Sequence, residues 1–215
     1  MKSYVVIGLG RFGSEVARQL CRHGCQVLAM DIDADLVNQI ANDVTHAVVG
    51  DGQDKDVLRA LGVQDLDCAV VAIGDNLAAS VLVTMNLKEL GLPMVICKAY
   101  DEMHRRVLQK LGADKVVIPE QEQAQRLARS LSTPNVLDYI ELSDEYGIVD
   151  TPAPAIWNGK NLRELNVRAK LGVNILAIRR QGAIHVSPSA DFVIEQGDVL
   201  VILGDSHALK KVQKL

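Results

Sequence analysis

The strongest constraint on this chain is a repeated exchange of two hydrophobic periods. Up to residue 118, short apolar runs occur at Tyr4–Leu9, Gln26–Met30, His46–Val49, Cys68–Ile73, Met94–Cys97 and Lys115–Ile118. Between them lie stretches of helical period: Phe12–His23, Ala34–Asn42, Asp54–Leu61, Asn76–Leu90 and Met103–Leu111. Runs that are nearly continuously apolar suit strands buried on both faces, the condition of a parallel sheet with helices above and below. Strand–helix alternation predicts an α/β, Rossmann-like, doubly wound sheet.

The first strand–helix junction carries Gly8-Leu9-Gly10-Arg11-Phe12-Gly13, a GxGxxG. The spacing alone is common, but here it follows a strand and opens a helix, which is the context the chemistry needs. Gly8 permits the tight turn, Gly10 admits a phosphate to the backbone, and Gly13 lets helix and strand approach. The helix N-terminus then offers unpaired N–H groups to the phosphates. Asp31 ends the second strand about twenty residues on, where a carboxylate accepts ribose hydroxyls and repels a 2′-phosphate. Ile32 and Asp33 follow it. Two further loops fall at strand C-termini, where such sheets bind ligands. Gly50-Asp51-Gly52 follows the third strand and places Asp51 and Gly52 as candidates; Ile73-Gly74-Asp75-Asn76 follows the fourth, with Asn76 suited to cap the next helix.

The chain changes character after a helical stretch, Glu120–Leu131, that Thr133-Pro134 stops. Gly147–Asp150, Asn174–Arg179, Ile184–Ser187 and Val199–Leu203 read as strands, with a short helix at Asn161–Leu165. The expected organisation is a nucleotide-binding lobe at 1–118, a crossover helix and linker at 119–134, and a small α+β lobe at 135–215. The helix Asn76–Leu90 is apolar almost all round, so the sheet should cover one side and a second subunit the other.

Several function classes are disfavoured. A net charge of −4 does not suit a nucleic-acid binder, which needs basic surface for phosphates. No apolar run reaches the roughly 18 residues of a membrane span, and the N-terminus enters a strand directly, without a signal-like segment. Any membrane association is expected to pass through a partner. Cys21, Cys25, Cys68 and Cys97 fit no zinc or redox spacing and read as small buried hydrophobes. His185 and His207 of the second lobe stand in no acid–base constellation, and His23, His46 and His104 read as structural. No lysine of P-loop type follows the glycines. A small NAD-dependent oxidoreductase is therefore the weaker alternative to a non-enzymatic binding module.

Six segments together resemble one family. VVIGLGRFG at Val5–Gly13, AMDID at Ala29–Asp33, VVAIGDN at Val70–Asn76, VLQKLGADKVVIPE at Val107–Glu120, VLDYIELSDEYGIVD at Val136–Asp150 and LNVRAKLGVNILAIRR at Leu165–Arg180 resemble the RCK regulators of potassium conductance, of the Ktr type and more distantly the Trk type. The resemblance implies RCK N- and C-lobes joined by a crossover helix. It implies dimers assembled into an octameric ring at the cytoplasmic face of a potassium-translocating membrane subunit. It implies gating by ATP and ADP, with NAD or NADH the alternative, as in some Trk-type relatives. Carried over by position, Gly8, Gly10 and Gly13 match the phosphate loop and Asp31 the ribose acid. Arg11 matches an arginine reaching a terminal phosphate, Lys98 a basic residue facing the nucleotide, and Glu120 an acid associated with Mg or Ca at the ATP phosphates. Cyclic di-AMP is the implied C-lobe ligand, near Leu165–Arg179. Gly50-Asp51-Gly52-Gln53-Asp54 departs from the Ktr pattern toward the acidic Trk loop, which favours NADH more than the rest of the chain does.

Overall fold

The computed structural model describes residues 1–74, 76–132, 138–143 and 145–215. The chain divides into two compact units, Met1–Gln121 and Glu122–Leu215.

In the first unit the apolar runs become strands β1 (Ser3–Ile7), β2 (Gln26–Asp31), β3 (His46–Val49), β4 (Cys68–Val71), β5 (Val95–Lys98) and β6 (Lys115–Val117). They pair in parallel in the order β3-β2-β1-β4-β5-β6. The connecting helices are α1 (Arg11–Arg22), α2 (Ala34–Ile40), α3 (Lys55–Ala60), α4 (Leu77–Glu89) and α5 (Glu102–Lys110). Strand alternation explains why the runs are apolar throughout. Val5 and Ile7 enter a core on one face with Val83, Leu87 and Leu108. Val6, between them, enters the core on the other face with Ala17, Val37 and Ile40. Side-chain caps fix four helix starts: Asp33 on α2, Asp54 on α3, Asn76 on α4 and Asp101 on α5.

The expected strands Tyr4–Leu9 and Cys68–Ile73 stop earlier, at Ile7 and Val71. Gly8 takes φ +96°, which no strand continues, and the residues after Val71 turn to line a cavity instead. The helix α6 (Pro119–Ser132) begins inside the first unit and crosses the boundary after Gln121, a few residues beyond the expected edge at 118. Its expected stop at Thr133-Pro134 lies outside the described residues.

The second unit holds β7 (Asp138–Glu141), β8 (Tyr146–Pro152), α7 (Leu162–Leu165), α8 (Val167–Leu171), β9 (Asn174–Arg180), β10 (Ala183–Val186), β11 (Val199–Asp205) and α9 (Ser206–Gln213). Its strands form a five-stranded sheet in the order β10-β9-β11-β8-β7, every pair antiparallel. Val149, Trp157, Ile178, Ile194, Leu200 and Ile202 form its core, closed by Leu209 and Val212 of α9. Asp198, almost fully buried, is held by two bonds from the Arg180 guanidinium at 2.7 and 2.8 Å, which keep its carboxyl below the usual range. Sequence reading missed β7, α8 and α9. Each is short, and α9 shows only Ala208, Leu209 and Val212 as an apolar signal, too few to establish a period. No helix among the described residues is long and apolar enough to cross a membrane.

Candidate functional site

Strand order reverses between β1 and β4, because the chain runs outward to β3 and then returns to the other side of β1. Ligands of such sheets bind beyond the strand C-termini at this point. The strand ends are tied together there. Gly8 N–H donates to the Met30 carbonyl at 2.9 Å, Ala72 N–H to Ile7 at 2.7 Å and Gly50 N–H to Asp31 at 2.9 Å.

The three loop glycines serve different ends. A Cβ on Gly13 would overlap the Gly8 carbonyl oxygen and come within 3.0 Å of Ala72 Cβ. One on Gly8 would lie 3.0 Å from the Ala72 carbonyl carbon. Both are required by packing. A Cβ on Gly10 would meet no atom within 4 Å, and its backbone is extended, at φ −63°. Among the described residues nothing requires glycine at 10, so the open approach it leaves suits a ligand rather than a neighbour.

A cavity of about 400 Å³ opens at this place. Gly8, Gly10, Asp31 and Ile32 line it from the ends of β1 and β2. Asp51 and Gly52 line it from the loop after β3, and Ile73, Gly74 and Asn76 from the loop after β4. Asp75, expected beside them, lies outside the described residues. Asn76 has a second task, accepting the Ala79 N–H at 3.0 Å to cap α4.

Other expected residues frame the cavity without lining it. The Leu9 side chain is buried in the core, and its N–H donates to Asp31 Oδ2 at 2.5 Å. Asp31 Oδ1 accepts the Asp33 N–H at 2.9 Å. One carboxylate therefore joins the glycine loop after β1 to the turn after β2, and each oxygen keeps a further lone pair for a ligand hydroxyl. Gly13 sits behind Gly8, and Asp33 accepts from Asp35 N–H at the start of α2.

A charged group stands apart from these. Lys98 ends β5, where it pairs in register with Val117 of β6. Glu120 lies three residues past Val117, and Lys98 Nζ reaches its Oε1 at 2.7 Å. The lysine is largely covered, its side chain 14% exposed against 65% for Glu120. Its ammonium lies 5.8 Å from the centre of the Phe12 ring, and a Cβ on Gly74 would lie 3.3 Å from it. The Lys98 hydrogen bond holds the Glu120 carboxyl below its ordinary value, and the charge of Arg11 lowers it further. Arg11 itself is exposed at the start of α1. Among the described residues no group of three or more His, Cys, Asp or Glu side chains is placed to hold a metal ion. A cation at Glu120 would need oxygens from a ligand to complete its shell.

The cavity also includes Ile7, Gly50, Gln53, Ala72 and Ala79. Gly50 and Gln53 flank the Asp51-Gly52 turn, so contiguity was their signal. Ala72 and Ala79 are small apolar residues with no signal in the sequence. Asn86, almost buried on α4, fixes the turn by donating to the Gln53 carbonyl at 2.8 Å.

The TrkA-N domain family matches residues 4–119, and the TrkA-C domain family matches residues 148–215. The Ktr system potassium uptake protein C of Bacillus subtilis (strain 168) is 45% identical over 213 residues, covering 99% of this chain and 96% of that protein. This chain belongs to the RCK family, as a Ktr-type member. The Ktr system potassium uptake protein A of Vibrio alginolyticus is 35% identical over 97% of the RCK chain and 94% of its own length. The crystal structure of the GsuK RCK domain matches 100% of the chain and 47% of the solved one, with a TM-score of 0.70 at 19% identity. That likeness bears on the fold, which is the RCK arrangement of a six-stranded parallel sheet followed by a small antiparallel one.

Proposed function

We propose that this RCK chain is a regulatory, non-enzymatic subunit that binds ATP or ADP in the first unit and gates a potassium-translocating membrane subunit. The observation that carries the nucleotide reading is Gly10, open to the cavity and required by nothing else, with the Asp31 carboxylate on the same cavity wall. These residues fit a nucleotide: glycine backbone for the phosphates, a carboxylate for the ribose, and Ile32, Ile73 and Ala79 as an apolar wall for the base.

Arg11 reaches a terminal phosphate, and Glu120 holds Mg or Ca against the ATP phosphates. The membrane subunit follows from family membership, and the chain then acts at the cytoplasmic face through that partner. Assembly as dimers in an octameric ring is supported by α4. Leu77 and Leu82 of that helix are 40% and 41% exposed in the single chain. NAD or NADH is the second reading, favoured by Asp51, a second carboxylate on the cavity wall suited to a second ribose.

Thermal-shift ranking of ATP, ADP, NAD, NADH and cyclic di-AMP, each with and without magnesium, tests these readings. A ligand of the native state raises the melting temperature by mass action. ATP and ADP should give the largest shifts, with Arg11→Ala narrowing the difference between them. Cyclic di-AMP, the ligand proposed for the second unit, should shift the melting of the Asp31→Ala variant undiminished. A panel in which no adenine nucleotide shifts the parent would reject the site.

A further inference from the structure

An ion pair at the edge of the cavity joins two residues whose expected tasks oppose each other. Lys98 faces the phosphate end, since Phe12 of the first α1 turn and Gly74 of the cavity wall both lie against it. Glu120 repels phosphate unless a cation stands between them. Yet Glu120 occupies Lys98 at 2.7 Å. The lysine is the covered partner and the glutamate the exposed one, so the glutamate is the member free to leave. Glu120 is also the second residue of α6, the helix that continues from the first unit into the second.

We propose that Glu120 and the outer phosphate of a bound nucleotide compete for Lys98, and that nucleotide binding thereby releases the first turn of α6. The inference rests on the nucleotide reading above. A phosphate oxygen on Lys98 forms the stronger charge-assisted bond, because it carries more charge than a carboxylate and is held by the loop backbone. Gly74 leaves Lys98 room in this arrangement, since a Cβ there would lie 3.3 Å from the ammonium and call for a shift of a few tenths of an ångström. The displaced Glu120 keeps a favourable place at the helix N-terminus, so α6 loosens at its first turn without unfolding. The same displacement frees a carboxylate beside the phosphates, which is the moment at which a divalent cation gains a protein ligand.

The test is a double-mutant cycle on the full chain, titrating ATP calorimetrically with divalent ions removed. Glu120→Gln, which keeps the side-chain shape, should bind ATP about threefold to fivefold more tightly than the parent, the scale of a part-exposed ion pair. In the Lys98→Gln background the same change should give no gain. Hydrogen exchange supplies the second readout: ATP should speed exchange of the 122–124 amides, the first that α6 can pair, in the parent and leave them unchanged in Lys98→Gln. An equal gain from Glu120→Gln in both backgrounds would mean simple repulsion and overturn the exchange, as would unchanged affinity or slower exchange at 122–124. A parent that binds no nucleotide would instead remove the reading beneath it.

Discussion

Removing the Asp31 carboxylate should separate its structural role from the ribose contact proposed for it. Its two oxygens accept the Leu9 N–H at 2.5 Å and the Asp33 N–H at 2.9 Å, both at the mouth of the cavity. Hydrogen bonds to a charged acceptor contribute roughly 1.5–3 kcal/mol each, less where water replaces the acceptor. Asp31 is half-buried and the Asp33 side exposed, so Asp31→Ala should cost the first unit about 2 kcal/mol. For a unit of this size that is a fall of roughly 8 °C in melting temperature. Asp31→Asn retains one acceptor oxygen and should lose about half as much. Affinity should follow a different order. Both variants lose the charged acceptor for ribose hydroxyls, so both should bind ATP and ADP about tenfold or more weakly. Calorimetric titration and thermal melting on the same samples make the comparison. Asp31→Asn binding ATP as tightly as the parent would refute the ribose assignment, and Asp31→Ala melting with the parent would refute the carboxylate bridge.

The loop glycines offer a contrast: Gly13→Ala drives a Cβ into the Gly8 carbonyl and should cost roughly 1–3 kcal/mol in urea unfolding, whereas Gly10→Ala meets no atom and should unfold with the parent while losing nucleotide affinity. His104 is buried on α5, with Nε2 3.2 Å from Ser80 Oγ and the Tyr100 ring against it, and burial pushes its imidazole below the ordinary value despite the nearby Asp101. The unfolded chain therefore binds a proton where the folded one does not, so stability from this group is complete above about pH 6.5 and falls as the pH drops below it. Urea midpoints at descending pH should show that fall, and His104→Leu should reduce it; identical slopes would contradict the assignment. Leu82 and Met85, three residues apart and partly exposed on α4, should lie in the subunit contact, so Leu82→Asp with Met85→Asp should lower the mass seen by light scattering without lowering the melting of a monomer. An unchanged mass would place the contact elsewhere.

The sequence by itself determined the parallel sheet, the glycine loop after β1 and the place of Asp31 at the end of β2. These depend on local pattern: runs apolar on both faces, glycines at fixed offsets, and a carboxylate at a strand end. Family membership was legible for the same reason, since its segments are contiguous. The tertiary structure alone decided which residues share the cavity and which only frame it. Leu9, Gly13 and Asp33 belong to the loops by spacing, but their groups are spent on Asp31, Gly8 and α2. Ala72, Ala79 and Gln53 enter the cavity because the order of strands brings two distant loops together. The meeting of Lys98 with Glu120 depends on the register of β5 against β6, which sets Lys98 opposite Val117 and so brings a residue 22 positions away within 2.7 Å. Residue type announces a charge, but only the pairing of strands decides which opposite charge it meets, because a shift of one residue would turn that side chain to the other face of the sheet.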